Sequence, residues 1–202
     1  MLSFENFEEL LSKKFSKLFS LYKNEKYIGI NTNKENIFLL IKFLKENAKL
    51  NFNQLTDITA IDYPSRELRF DIIYIILSLS LNQRIVVKSS IKIEETLESI
   101  TSLYKSANWY ERECYDLFGI KFINHPDLRR IMTDYNFEGH PLRKDFPLTG
   151  FTEVRYDNLE KRVVYEPVNL PQEYRNFDYS SPWEGLSNQL IGDEKALKKV
   201  HK

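Results

Sequence analysis

The sequence predicts an α+β fold, a mostly antiparallel sheet with packed helices, followed by a long extended C-terminal segment rich in proline, glycine and aromatic residues. Three observations predict it. The periodicities run in the order helix, strand, helix, three strands, two helices, which fits helices laid on a sheet better than a regular alternation. Glycine and proline are rare up to Phe118, where only Gly29 and Pro64 occur, and the remainder holds five glycines and six prolines. That remainder also carries eleven aromatic residues, among them Tyr165, Tyr174, Phe177, Tyr179 and Trp183, and a segment that buries nothing gains nothing from them. The expected division is 1–118 as an α+β domain and 119–202 as an extended partner-binding segment.

Each element has its own signal. Phe4, Phe7, Leu11, Phe15, Leu18 and Tyr22 recur at helical spacing behind Ser3, an N-cap type. Tyr27 to Asn31 reads as a short strand. Thr32 and Glu35 have the spacing of a capping box opening a second helix, with Ile37, Leu40, Ile41 and Leu44 on its inner face. Phe52–Ile61 and Leu68–Leu81 read as strands, and Leu77, Leu79 and Leu81 alternate with Ser78, Ser80 and Asn82 as if the leucines faced inward. A turn at Asn82-Gln83 leads into Arg84–Lys88, completing a hairpin. Leu97, Ile100 and Tyr104 predict a third helix, and Asn108–Phe118 a fourth, closed by Gly119. Since these periodicities end there, a chain cut after Gly119 is expected to fold.

Composition excludes several function classes. Lys plus Arg equals Asp plus Glu, 29 against 29, so no global field draws the chain to nucleic acid or an anionic bilayer. Cys114 is the only cysteine, which rules out an internal disulfide and a thiolate-built iron–sulfur or zinc site from this chain alone. It reads as a small buried hydrophobe rather than a reactive thiol. The three histidines, His125, His140 and His201, are scattered. Glu5, Glu8 and Glu9 leave the start without the character of a transit or secretory peptide, and the most apolar stretch, Ile72–Leu81, is about half the ~20 residues of a membrane helix. A soluble chain is expected, attached to a membrane only peripherally if at all.

The densest polar cluster is Glu111-Arg112-Glu113 with Asp116. Three carboxylates this close would suit acid/base work or a hard metal ion. The alternative is a capped helix, Asn108 with Glu111 as the box, whose acids pair with Arg129, Arg130, Arg143 and Lys144. No phosphate-cradling loop, nucleophile elbow or zinc-protease motif accompanies the cluster. The charged-helix reading therefore leads.

The same residues carry a resemblance. Glu111-Arg112-Glu113, Asp116-Leu117-Phe118-Gly119 and His125-Pro126-Asp127-Leu128-Arg129-Arg130-Ile131 resemble the signature of the 30-kDa subunit family of respiratory complex I (subunit 9, also called the C subunit, of NADH dehydrogenase). Gly139-His140-Pro141-Leu142-Arg143-Lys144-Asp145-Phe146-Pro147 resembles its second hallmark, and Ser181-Pro182-Trp183-Glu184 also fits. The resemblance is collinear from about Ile85 to Gly185. It implies a core subunit of the peripheral arm of NADH:ubiquinone oxidoreductase that binds no cluster, flavin or nucleotide. It also implies that the chain supports the 49-kDa quinone-site subunit among other peripheral-arm partners. An equivalent subunit of a membrane-bound hydrogenase or other quinone-reducing complex is the alternative. Lys outnumbers Arg nineteen to ten, as an AT-rich coding genome would give. That favours the matrix side of the mitochondrial inner membrane, with the cytoplasmic face of a bacterial inner membrane second.

Overall fold

Aliphatic and β-branched residues fill the long strands, and these assemble into a five-stranded sheet in the order β1-β2-β5-β4-β3. The computed structural model describes residues 4–15, 19–24, 27–170 and 172. The sheet comprises β1 (Phe19–Lys23), β2 (Ile28–Thr32), β3 (Gln54–Asp62), β4 (Phe70–Ser78) and β5 (Gln83–Ile91). Three of its pairings are antiparallel, but β2 and β5 run parallel, with Ile28 opposite Ile85 and Asn31 opposite Lys88. The fold is therefore α+β with a mixed sheet. Three α-helices occur among the described residues: α1 (Phe4–Phe15), α2 (Ile37–Glu46) and α3 (Ala107–Phe118).

Alternation decides the layers. Ile72, Tyr74 and Ile76 of β4 and Ile85 and Val87 of β5 are buried in one core with Phe7 and Leu11 of α1, Leu40, Ile41 and Leu44 of α2, and Cys114 of α3. Ile73, Ile75, Leu77 and Val86 point to the other face and are half-buried. The alternation expected at the end of β4 thus has the opposite phase. Ser78 faces inward, fully buried, with its hydroxyl donating to the Leu50 carbonyl at 2.9 Å, while Leu79 lies exposed in the turn. The in-facing set of Ile72, Tyr74 and Ile76 fixes that phase, and a hydrogen-bonded serine costs little at its end.

Other local expectations also change. The first helix is described over Phe4–Phe15, and Phe19–Lys23 is a strand paired with β2, so Tyr22 belongs to no helix; Ser3 and Leu18 lie outside the described residues. Tyr22 sits opposite Gly29, and a Cβ there would stand 1.9 Å from the phenol ring, so the ring's close approach requires glycine. Thr32 ends β2 instead of capping a helix; a 3-10 turn over Lys34–Asn36 precedes α2, and neither Asn33 nor Asn36 caps with its side chain. Leu97, Ile100 and Tyr104 are buried as expected, but not on a helix. Thr96–Glu98 is a short strand, β6, paired in parallel with β7 (Lys121–Ile123), and a single turn follows it. Three buried residues along a strand and a turn share helical spacing by coincidence.

The chain divides into two compact units, the first reaching Phe151 rather than ending at Phe118. Ile120 and Phe122 are buried in the first core, and residues beyond them bond back to α3, so the glycine- and proline-rich stretch up to Phe151 belongs to that unit. The second unit begins at Thr152 and contains an antiparallel hairpin, β8 (Thr152–Asp157) with β9 (Arg162–Pro167). Its register puts Val154, Tyr156, Val163 and Tyr165 on one side. The other side carries Arg155, bonded to Glu166 at 2.8 Å and to Asp157 at 3.3 Å. Tyr174, Phe177, Tyr179 and Trp183 lie outside the described residues.

Candidate functional site

Helix α3 is the spine of the site. Ala107, Cys114 and Phe118 face the core, and Gly119 ends the helix in the left-handed region at φ 78°, its N–H returning to the Tyr115 carbonyl at 2.9 Å. A Cβ at Gly119 would meet the Arg143 guanidinium at 2.3 Å and the His140 ring at 2.6 Å. The helix start is not a capping box. Asn108 is already helical, Ser106 precedes the helix without a side-chain cap bond, and Glu111 turns inward to accept the Ile100 N–H at 2.8 Å.

Asp116 organises the segment that follows. Its Oδ2 accepts three successive backbone N–H groups, from Ile131 (2.9 Å), Met132 (2.7 Å) and Thr133 (2.9 Å). Its Oδ1 accepts from Arg130 at 2.8 Å and from the Thr133 hydroxyl at 2.6 Å. Burial opposes ionisation of this carboxyl, but the Thr133 hydroxyl and N–H, the Ile131 N–H and Arg130 outweigh it and hold the group well below the usual carboxylate range. A run of consecutive N–H donors is the backbone's own anion cradle, here filled by the chain's own aspartate.

Around it the second hallmark closes as a strap. His140 Nδ1 donates to the Asp116 carbonyl at 2.8 Å, and Arg130 donates to the Gly139 carbonyl at 3.0 Å. Arg143 Nε donates to the Phe118 carbonyl, and Arg112 to the carbonyls of Arg129 (3.1 Å) and Arg130 (3.0 Å). Arg112 is thus spent on helix-to-strap carbonyls, not on Asp116 as an i,i+4 partner. The Lys144 N–H donates to Asp62 at 2.7 Å, so here the lysine acts through its backbone. Asp62, buried at the end of β3, is gripped twice by Arg69 at 2.7 and 2.8 Å, and the Arg69 hydrogen bond holds it below its ordinary range. Arg69 also pairs with Asp145 at 2.9 Å. Asp62, Arg69 and Thr133 are site residues that sequence reasoning missed. Only a carboxylate and an arginine flanking a proline-containing turn hinted at the first two.

The remaining site residues are placed apart. Glu113 is half-buried, with no cation in salt-bridge range among the described residues. Asp127 and Arg129 form an exposed pair at 2.8 Å. The His125 ring lies 3.9 Å from Glu111, and Trp183 falls outside the described residues. Of the expected pairings with Glu111 and Glu113, neither forms; the arginine pairs with Asp116 instead. The three carboxylates go to three different surroundings. They make no shared acid/base or metal cluster, and no such metal cluster occurs among the described residues. Burial pushes the Cys114 thiol far up, which keeps it from being a nucleophile.

This arrangement spans the region that comparison picks out. The family model "Respiratory-chain NADH dehydrogenase, 30 Kd subunit" matches residues 30–152, more than half of the chain. The chain belongs to that family. The NADH-quinone oxidoreductase C subunit of Cereibacter sphaeroides is 60% identical over 157 residues, covering 78% of each chain. The protein of the same name from Sinorhizobium medicae is 57% identical over 169 residues, covering 84% of each. That of a Ruegeria species is 55% identical over 172 residues, covering 85% of this chain and 86% of the relative. Among solved structures, a chain from the archaeal membrane-bound sulfane sulfur reductase superposes with TM-score 0.61 at 23% identity, covering 71% of this chain and 85% of that one. At that identity the likeness shows the fold alone. No described helix of this family member is long and apolar enough to cross a membrane.

Proposed function

We propose that the chain is a structural and assembly subunit of the peripheral arm of an NADH-quinone oxidoreductase, working without a cofactor of its own and supporting the 49-kDa quinone-site subunit. The observation that carries this is the 55–60% identity to bacterial NADH-quinone oxidoreductase C subunits over about four-fifths of their length. The geometry agrees in kind. Asp116, Arg130, His140 and Lys144 hold α3, the end of β3 and the strap together, as in a part that must present a fixed surface. The same identity favours the NADH-quinone reading over a hydrogenase-type relative. Because these relatives are bacterial, they support attachment at the cytoplasmic face of a bacterial inner membrane rather than the mitochondrial location.

The partner-binding part is then the second unit, Thr152–Lys202. A two-stranded hairpin has no core, and Val154, Tyr156, Val163 and Tyr165 form an apolar side that needs a cover. Affinity capture of the tagged chain from solubilised native membranes, with mass spectrometry of the companions, tests the reading. Co-purification of the quinone-site and other peripheral-arm subunits is expected, and their absence from an intact preparation would overturn it. A chain ending at Phe151 should stay folded and recover much less of the quinone-site subunit. Full recovery by that fragment would move the interface to the first unit.

A further inference from the structure

Asp62, Asp71 and Asp116 are buried, and each is bonded to an arginine or lysine. Glu111 is as deeply buried, and no arginine or lysine among the described residues pairs with it. Its Oε1 accepts the Ile100 N–H at 2.8 Å and its Oε2 has no partner. The groups facing it come from every side. From β4, the Tyr74 hydroxyl is fully buried and equally without a partner. From the turn after β6, the Ser99 hydroxyl, which bonds to the Thr101 hydroxyl at 2.8 Å, favours the ionised form of Glu111. On α3 itself Cys114 donates its thiol to the Ile58 carbonyl of β3 at 3.4 Å, and Glu113 of α3 and Asp57 of β3 add only negative charge to this region.

Among the described residues His125 is the one candidate counter-ion, and both of its ring nitrogens are engaged elsewhere. Its Nδ1 faces the Asp127 N–H at 3.1 Å and its Nε2 the Asn108 carbonyl at 3.0 Å, against 3.9 Å to Glu111. As a carboxylate, Glu111 would therefore be an unpaired charge in the core. As a carboxylic acid it is a polar group with a hydroxyl neighbour.

We infer that Glu111 is a proton-binding site of the folded chain, held as the neutral acid, and that its ionisation weakens the packing of α3 on β3. On ionisation the O–H bond breaks and the proton passes to water; no other reactant is needed. Burial pushes the Glu111 carboxyl from the ordinary 4.5 up to about 7, against the lowering by Ser99 and Ile100. The folded chain thus holds this proton more tightly than the unfolded one. The stabilisation is complete below about pH 4.5 and is lost as pH rises through about 7.

The test uses the full-length chain with isotope-labelled glutamate, followed by infrared spectroscopy, and thermal melts between about pH 5 and 8. A protonated glutamate signal is expected at pH 6, titrating away near pH 7, with the melting temperature falling across the same window. Glu111→Gln should remove the signal, flatten the pH dependence and melt above the unaltered chain at pH 8. Glutamates wholly ionised at pH 6, or a variant with the unaltered chain's pH dependence, would overturn the inference. If the variant does not fold, the infrared titration of the unaltered chain decides alone, because Glu111 is the only fully buried glutamate among the described residues.

Discussion

Asp116 and Glu111 lie on one helix and are both fully buried, yet one is surrounded by donors and the other keeps an oxygen with no hydrogen-bond partner. Asp116 receives five donors on its two oxygens, an arginine among them. Glu111 receives one backbone N–H, from Ile100. Both are hidden from water; what differs most is the supply of positive charge and N–H dipoles at the place where the side chain ends. Asp116 points toward the segment Arg130–Thr133, which brings an arginine and three free amides. Glu111 points toward Ile100 and His125, where a single backbone amide is offered. Sequence neighbours with identical chemistry are thereby sent to opposite protonation behaviour.

The largest effect that would break this contrast is Asp116→Ala. It leaves Arg130 unpaired and three amides without an acceptor, and removing one member of a buried pair costs about 3–5 kcal/mol. We expect a chain that fails to accumulate folded, or a denaturant midpoint shifted by that amount. A normal midpoint would show that the strap does not need its anchor. Truncation sharpens the same point: a chain ending at Gly119, which the periodicities alone expect to fold, lacks the strap that satisfies Asp116 and Asp62 and should melt broadly, whereas one ending at Phe151 should melt cooperatively.

Smaller effects follow. Arg69→Met removes both bonds to Asp62 and the tie to Asp145, and loss of such a charged hydrogen-bond partner should destabilise by about 2–3 kcal/mol in equilibrium unfolding. Gly119→Ala combines a positive φ with a clash against Arg143, for roughly 1–3 kcal/mol by the same measurement. Acid tests the sign. The stability contributed by Asp116 is in place above about pH 4 and is lost as pH falls through its depressed folded value, the reverse of the slope expected from Glu111. Arg155→Ala on the exposed hairpin should leave the unfolding midpoint of the first unit unmoved, since exposed ion pairs contribute little.

How much of this was legible in the sequence depended on the range of the forces involved. Helix α3 with its Gly119 terminus, the inner face of α2 and the β4–β5 hairpin all announce themselves within a dozen residues, because their signals are local. The break between α1 and β1 was hidden because apolar spacing runs on through it. The stretch from Leu97 to Tyr104 misled because a short strand and a turn bury residues at helical intervals. At the site, the motif residues were visible as a group but their partners were not. Arg130 could have served Glu111, Glu113 or Asp116, and only the path of the strap chooses Asp116. Asp62 escaped notice because its meaning depends on Lys144, far along the chain.

The single parallel joint in the sheet also orders events in time. The strands β3, β4 and β5 are joined by short connections and pair with their sequence neighbours, so they can form soon after they leave the ribosome. Strand β2 is made earlier but must wait for β5, since Ile28 pairs with Ile85, and β1 can only complete its edge of the sheet once β2 has found its place. The amino-terminal helix and two strands are then the last part of the sheet to lock although they are the first to be synthesised. In pulse-labelling hydrogen exchange during refolding, the amides of β4 and β5 should gain protection before those of β1 and β2.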